Sequence, residues 1–328
     1  MGHYVPNTTI KNNDFIEMGI ETTDEWIQTR TGIKERRQAA PTQRSSDLAC
    51  EAAKIALNKA GLSADDLSGI IVATATPDNP GFPSTACIIQ EKLGIQNTSI
   101  MAFDVTAACS GFNYALTTAQ QYIQTGMAKH ILVVGVDCLS EITDWKDRGT
   151  CILFGDGAVA VILGPVESDM GILYSKLFSN GALADSLKVS FPAPGDQKGT
   201  LEADRPFIEM DGKAVFKTAV AIVGPAIQEG LDALGLSKDD VDWVVLHQAN
   251  QRIIDAVQKK IGVPKEKMVS NIAQYGNTSA ASIPLALGEW DQNGQFKKDH
   301  IVICCGFGAG FTWGVNIIRW SQDTKEGD

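Results

Sequence analysis

Much of the 328-residue chain is written twice. The stretch "ALNKAGLSADDLSGIIVATA" (56–75) returns as "GLDALGLSKDDVDWVVLHQA" (230–249): a helix end, a Gly-Leu-Ser turn, two acids and an apolar strand. Gly61 pairs with Gly235, Asp65 and Asp66 with Asp239 and Asp240, and Ile70 with Val244. After a small change of spacing, "QEKLGI" (90–95) mirrors "QKKIGV" (258–263), each a helix end closed by a glycine suited to a left-handed cap. Kept in that second register, Cys109 falls opposite Asn277. Later, "CILFGDGAVAVIL" (151–163) resembles "VICCGFGAGFTWGV" (302–315), which reads as two apolar strands flanking a glycine-rich turn each time. Three matches in one order are not a chance agreement. They divide the chain into similar halves, 1–165 and 166–328, meeting near "GPVESDMG" (164–171).

Within each half, uninterrupted apolar strands ("GIIVATA", "HILVVGVD", "WVVLH", "IVICC") alternate with helical segments. That is the pattern of a sheet covered on both faces. The expected architecture is α/β in five layers, with helices sandwiched between two mainly parallel sheets. A 44% hydrophobic, 20% charged composition suits such a core. The seven cysteines (Cys50, Cys87, Cys109, Cys138, Cys151, Cys304, Cys305) form no C-x-x-C pair, so reduced thiols are expected and neither disulfides nor metal ligands. A net charge of −11 argues against non-specific nucleic-acid binding. No apolar run approaches the roughly 20 residues of a membrane span. The start "MGHYVPNTTIKNN" lacks the basic and apolar regions of a signal peptide, so the cytoplasm is expected.

A parallel α/β sheet gathers its ligands beyond the carboxyl ends of its strands. Cys109 follows the strand-like "IMAFDV" and precedes the helical "GFNYALTTAQQYIQTG". There the helix N-terminus is expected to lower the thiol pKa from about 8.5. His247 ends the strand "DWVVLH", and Asn277 lies in the repeat position of Cys109. Gly306, Gly308 and Gly310 mark a last turn whose backbone N–H groups suit an oxyanion. Each feature also has a plain reading: a packed thiol, a strand-end histidine, a helix-capping asparagine and tight turns. Position alone leaves a Cys–His–Asn site open.

The motifs "TTDEWIQTRTGIKER" (22–36), "FPSTACIIQ" (82–90), "DVTAACSGF" (104–112), "DRGTCILFGDGA" (147–158), "LHQANQRII" (246–254), "YGNTSAASIP" (275–284) and "GFGAGFTWG" (306–314) span nearly the whole chain. They resemble the thiolase superfamily, and within it the β-ketoacyl-[acyl-carrier-protein] synthase III family. The resemblance implies a thiolase-like αβαβα fold from two duplicated halves, each with a five-stranded sheet. It also implies a decarboxylating Claisen condensation that initiates fatty-acid synthesis. In that reaction Cys109 takes an acyl group from an acyl-coenzyme A, and malonyl-acyl carrier protein then supplies the attacking enolate. His247 and Asn277 are the implied enolate donors, and the backbone N–H groups of Cys109 and Ala309 the implied oxyanion hole.

By the same resemblance Trp26 and Arg148 flank the adenine of coenzyme A, with Arg30 and Asn250 toward its phosphate and pantetheine portions. Phe82 and Phe307 are implied at the acyl pocket, Phe82 from the partner subunit of a homodimer. Arg252, Lys217 and Lys259 are the candidates for docking an acidic carrier protein. The region 185–215 is expected to shape the pocket and its lid. No cofactor and no metal are implied, coenzyme A thioester being a substrate.

Two departures stand out. "MGHYVP" begins inside a motif that family members precede with an apolar strand, so the first strand of the N-terminal sheet is expected to be absent. The final turn reads Gly308-Ala309-Gly310 where Gly-Gly-Gly is common; a backbone donor survives an alanine at negative φ. Rivals are relatives that prime polyketide, alkylresorcinol, quinolone or long-chain ketone synthesis, a papain-like Cys–His–Asn hydrolase, and a non-catalytic binding protein. The acyl pocket and tolerance for a second acyl-coenzyme A separate the first of these. The repeat argues against the second.

Overall fold

The computed structural model describes residues 1–190 and 206–322. Ten strands build two sheets. The first holds β1 (Gly2–Tyr4), β2 (Gly69–Ala73), β3 (Met101–Val105), β4 (Ile131–Cys138) and β5 (Asp156–Leu163), in the order β1-β5-β4-β2-β3. The second holds β6 (Gly171–Ser179), β7 (Trp243–Leu246), β8 (Met268–Val269), β9 (Ile301–Gly308) and β10 (Thr312–Arg319), in the order β6-β10-β9-β7-β8. The orders are identical strand for strand. In each sheet one strand, β5 or β10, runs against the other four.

Seven helices matter to the site: α1 (Asp24–Thr31), α2 (Ser45–Ala60), α3 (Thr85–Lys92), α4 (Gly111–Gln124), α5 (Gly212–Leu234), α6 (Gln251–Ile261) and α7 (Ser282–Gln292). Alternation along the strands assigns the layers. Ile70 and Val72 of β2 pack with Ala49, Ala52, Ala53 and Ala56 of α2, and with Ala86 and Ile89 of α3. Ile71 and Ala73 point the other way, into a shared cluster with Phe112 and Ala115 of α4 and Ile283 and Ala286 of α7. Val245 of β7 reaches that same cluster from the second sheet, while Val244 and Leu246 face α5 and α6. Five layers follow, αβαβα, with α4 and α7 in the middle.

The first repeat holds in detail. Gly61 and Gly235 are both left-handed caps, at φ 65° and 66°, ending α2 and α5. Ser63 with Asp66, and Ser237 with Asp240, form the same reciprocal capping box.

Three expectations are corrected. The first strand is present: Gly2–Tyr4 pairs antiparallel with Ala158–Ala160 of β5. Gly2 lies so close to the backbone of Ala52 and Ala56 in α2 that no Cβ fits. The pairing of Cys109 with Asn277 is three residues off. The left-handed Ala108 (φ 44°) precedes Cys109 as the left-handed Ser279 (φ 48°) precedes Ala280, so Ala280 is the structural counterpart of Cys109. Last, the apolar residues before Gly155 are not a strand: Arg148–Cys151 is a short helix, and the counterpart of β9 is β4.

Candidate active site

Chain direction and small residues set the nucleophile. After β3 ends at Val105, the left-handed Ala108 turns the chain back on itself, and Cys109 sits in the tight turn Ala108–Ser110 that runs into α4. Strand β9 passes directly beneath. A Cβ at Gly308 would stand 2.8 Å from the Cys109 backbone nitrogen, and one at Gly306 3.0 Å from Ser110 Cα. Gly306 and Gly308 belong to β9 and its ladder with β10, not to a turn as expected; their missing side chains let the Cys109 turn rest on the strand, and the turn itself is Ala309–Phe311. Thr312 ties the two turns together: its Oγ1 lies 2.8 Å from Ser110 Oγ, 3.2 Å from Ala107 O and 2.9 Å from Ala309 O, within reach of either carbonyl for its one proton.

Cys109 is 8% exposed. Burial pushes its thiol up to about 12, a hydrogen bond from the Ser279 side chain pulls the other way, and the nearby Asp137 raises it further. Desolvation of the anion thus raises the thiol in the free protein, opposite in direction to the lowering expected from the helix N-terminus. Asp137, at the end of β4, is fully buried and takes hydrogen bonds from the N–H groups of Ala75, Thr76 and Ala280 and from the side chains of Thr74 and Thr76. It pins the turn after Ser279 to the first sheet.

His247 follows β7, with its backbone N–H bonded to Cys305 O at 2.9 Å. The ring meets Phe307 edge to face, 5.2 Å between centroids, and Nδ1 lies 2.6 Å from Ser282 Oγ. Burial drives the imidazole pKa down to about 3, so the ring is neutral at physiological pH. Asn277 is clamped by its backbone: its N–H donates to Leu153 O at 2.8 Å, and its carbonyl accepts from Gly155 N–H at 2.9 Å. Its side-chain Oδ1 accepts from Ser279 N–H at 2.9 Å. The Nδ2 amide then has no protein partner among the described residues. Ser279 links Asn277 to Cys109, and the adjacent pair Phe307-Gly308 links His247 to Cys109. All three residues are buried, and these shared neighbours set them around the Cys109 turn.

Farther out, Arg148 lies over the Trp26 ring, 4.9 Å from its centroid, with Arg30 at 5.9 Å. The Arg148 guanidinium also donates to Glu21 O at 2.7 Å. Asn250 caps α6 by accepting from Arg252 N–H and donates to Arg30 O at 3.1 Å, so α1 and the start of α6 are stitched together. Trp26, Arg30, Arg148 and Asn250 thus form one patch that continues along the chain into His247.

Residues 103–181 match the family described as 3-oxoacyl-[acyl-carrier-protein] synthase III, and residues 231–320 match its C-terminal part. The chain is 48% identical over 325 residues to the β-ketoacyl-[acyl-carrier-protein] synthase III of Caldanaerobacter subterraneus subsp. tengcongensis, covering 98% of this chain and 96% of that protein. The chain belongs to the β-ketoacyl-[acyl-carrier-protein] synthase III family. It is an acyl-transferring condensing enzyme of thiolase-like fold. The crystal structure of the Aquifex aeolicus synthase III superposes with a TM-score of 0.89 at 43% identity, covering 97% of this chain and 98% of that one. The priming β-ketosynthase of the R1128 polyketide pathway superposes with a TM-score of 0.91 at 34% identity, covering 98% and 95%.

Elsewhere on this synthase, Arg252 of α6 stacks over Phe216 of α5 at 5.7 Å, next to the exposed Lys217, and Lys259 is exposed on α6. Phe82 is 91% exposed, whereas Phe307 is buried at 1% against His247. The expected lid falls partly on residues 191–205, outside the described residues. Among the described residues no group of three or more His, Cys, Asp or Glu is placed to hold a metal ion, and no helix is long and apolar enough to cross a membrane. Sequence reasoning missed Asp137, Ser279, Ser282 and Thr312. The one available signal was the polar density of "NTSAAS", which a helix cap explains equally well.

Proposed function

We propose that this synthase initiates fatty-acid synthesis by a two-stroke condensation on Cys109. The observation that carries the reading is a pair of neutral groups beside the Cys109 turn. One is a buried imidazole; the other is an amide whose oxygen is already occupied by Ser279 N–H. Such a pair suits an enolate, which needs hydrogen-bond donors and no strong base.

In the first stroke the Cys109 sulfur attacks the thioester carbonyl of an acyl-coenzyme A. The carbon–sulfur bond to coenzyme A breaks, and the thiol proton leaves with the departing sulfur. Backbone N–H groups of Cys109 and Ala309 hold the carbonyl oxygen as it gains charge. In the second stroke malonyl-acyl carrier protein loses carbon dioxide. The electron pair of the broken bond becomes an enolate, held by His247 and Asn277, and forms the new carbon–carbon bond to the acyl group. Cys109 leaves as thiolate and takes a proton from water.

The halves 1–165 and 166–328 divide this labour, nucleophile in the first, His and Asn in the second. Coenzyme A lies along Trp26, Arg148, Arg30 and Asn250; in the free protein Arg148 covers Trp26, so adenine must open that contact. The carrier protein docks at Arg252, Lys217 and Lys259. A second copy of the chain completes the acyl pocket with Phe82, a reading supported by its exposure and by the half-buried edge strand β3. Seven free cysteines fit a reducing cytoplasm.

Purified protein, given an acyl-coenzyme A panel and either malonyl-carrier protein or a second acyl-coenzyme A, tests the reading. β-Ketoacyl-carrier protein with stoichiometric carbon dioxide is expected. Product only with the second acyl-coenzyme A would move the chain to ketone synthesis.

A further inference from the structure

An imidazole can steady an enolate only if the nitrogen facing it carries the proton. Neutral histidine has two tautomers, and the one present is set by what the other nitrogen meets. Here Nδ1 meets the hydroxyl of Ser282, 2.6 Å away, on the first residue of α7. Either atom is able to donate, so the rest of the Ser282 environment decides. The backbone N–H of Gln248, which can only donate, also points at Ser282 Oγ, at 3.4 Å. Ser282 is 1% exposed, so its own proton needs a protein acceptor. Hydroxyls in this fold often find one four residues back, as Thr143 does at Leu139 O and Thr117 at Asn113 O. Ser282 makes no such bond. Among the described residues His247 Nδ1 is the one acceptor within reach of its proton.

We infer that Ser282 is a positioning residue for the condensation: its hydroxyl donates to His247 Nδ1 and so holds the proton on Nε2. With Nδ1–H as donor instead, the Ser282 proton would be buried without a partner, an arrangement that folding disfavours. The Phe307 edge contact holds the ring plane, and the low imidazole pKa keeps the second proton off. The inference rests on the proposed role of His247 and adds what fixes that role. It also places both donors under one design: each has its acceptor side closed, His247 by Ser282 and Asn277 by Ser279 N–H.

The test needs no substrate in its first arm. Long-range proton–nitrogen NMR of the ¹⁵N-histidine-labelled protein, with the His247 signals identified by their loss in His247→Asn, reports the tautomer directly. An Nε2–H ring in the wild type is expected, shifting toward a tautomer mixture in Ser282→Ala and returning in Ser282→Thr. An Nδ1–H ring in the wild type overturns the inference whatever the variants do.

The second arm separates the half-reactions. Ser282→Ala is expected to lose about tenfold in malonyl-carrier-protein decarboxylation, the factor that one ordinary hydrogen bond carries. Acylation of Cys109 should stay near the wild-type rate, and Ser282→Thr should recover most of the loss. Unchanged decarboxylation in Ser282→Ala, or equal loss in both half-reactions, contradicts a positioning role. A wild type that forms the Nε2–H tautomer but neither acylates nor decarboxylates would instead count against the proposed function, so the two failures are distinguishable.

Discussion

The backbone N–H of Ser279 reaches the side-chain Oδ1 of Asn277 at 2.9 Å, across a turn in which Ser279 is left-handed at φ 48°. The bond sets which end of the amide is free. Asn277→Asp keeps the acceptor for Ser279 and deletes the N–H donor, replacing it with a charge that repels an enolate. Decarboxylation of malonyl-carrier protein should fall by about 100-fold or more, the scale of losing one oxyanion donor. His247→Ala should behave alike, with Cys109 acylation retained in both. Carbon dioxide release measured apart from coenzyme A release checks this.

Gly308 faces Cys109 too closely for any side chain. Gly308→Ala places a methyl 2.8 Å from the Cys109 nitrogen and 2.9 Å from its Cβ, so the turn must move. A destabilisation of about 1–3 kcal/mol is expected from overpacking, with a marked loss of acylation. Thermal unfolding and the acylation rate, measured together, check it; a variant that acylates normally would show that the turn is not held by that contact.

The thiol titrates late. With burial holding Cys109 near 12 in the free protein, the thiolate fraction grows about tenfold per pH unit throughout the neutral and mildly alkaline range. Iodoacetamide labelling of Cys109 should rise with that slope from about pH 7 to 10. A plateau beginning below pH 8 would mean that the helix N-terminus prevails over desolvation after all.

Trp26 offers a flat face already engaged by Arg148. Trp26→Ala should raise KM for acyl-coenzyme A roughly 5- to 150-fold, as the loss of about 1–3 kcal/mol of base stacking implies. The rate at saturating substrate should change little, since the adenine lies far from the bond that breaks. An acyl-pantetheine substrate, which lacks the nucleotide, should be indifferent to the substitution.

What could be read from residues alone follows from how local the cause is. Gly61 and Gly235 announce their helix ends because a left-handed cap is a one-residue event, and the Ser63 and Ser237 capping boxes span four residues each. The register between Cys109 and Asn277 failed because the second half inserts the helix Ile272–Tyr275 between β8 and its turn, where the first half runs from β3 almost directly into Cys109. A fixed offset cannot see an insertion. Strand β1 was missed because three residues suffice when Ala158–Ala160 offer a complete ladder and α2 covers them. Type and position leave a Cys–His–Asn site open, and the family resemblance alone implies the roles of Cys109, His247 and Asn277; the raised thiol pKa is not legible in either, since burial arises only when β9 passes beneath the turn. Ser282 was invisible for the same reason: its partner is 35 residues away.

One covalent bond, from an acyl carbon to the Cys109 sulfur, decides between nucleophile and packed thiol. Intact-protein mass spectrometry, followed by peptide mapping, after exposure to acetyl-, branched-, medium- and long-chain acyl-coenzyme A measures it directly. The prediction is a mass gain equal to one acyl group on Cys109, absent in Cys109→Ser and discharged by malonyl-carrier protein. No adduct with any of these thioesters, or an adduct on a cysteine other than Cys109, would contradict it.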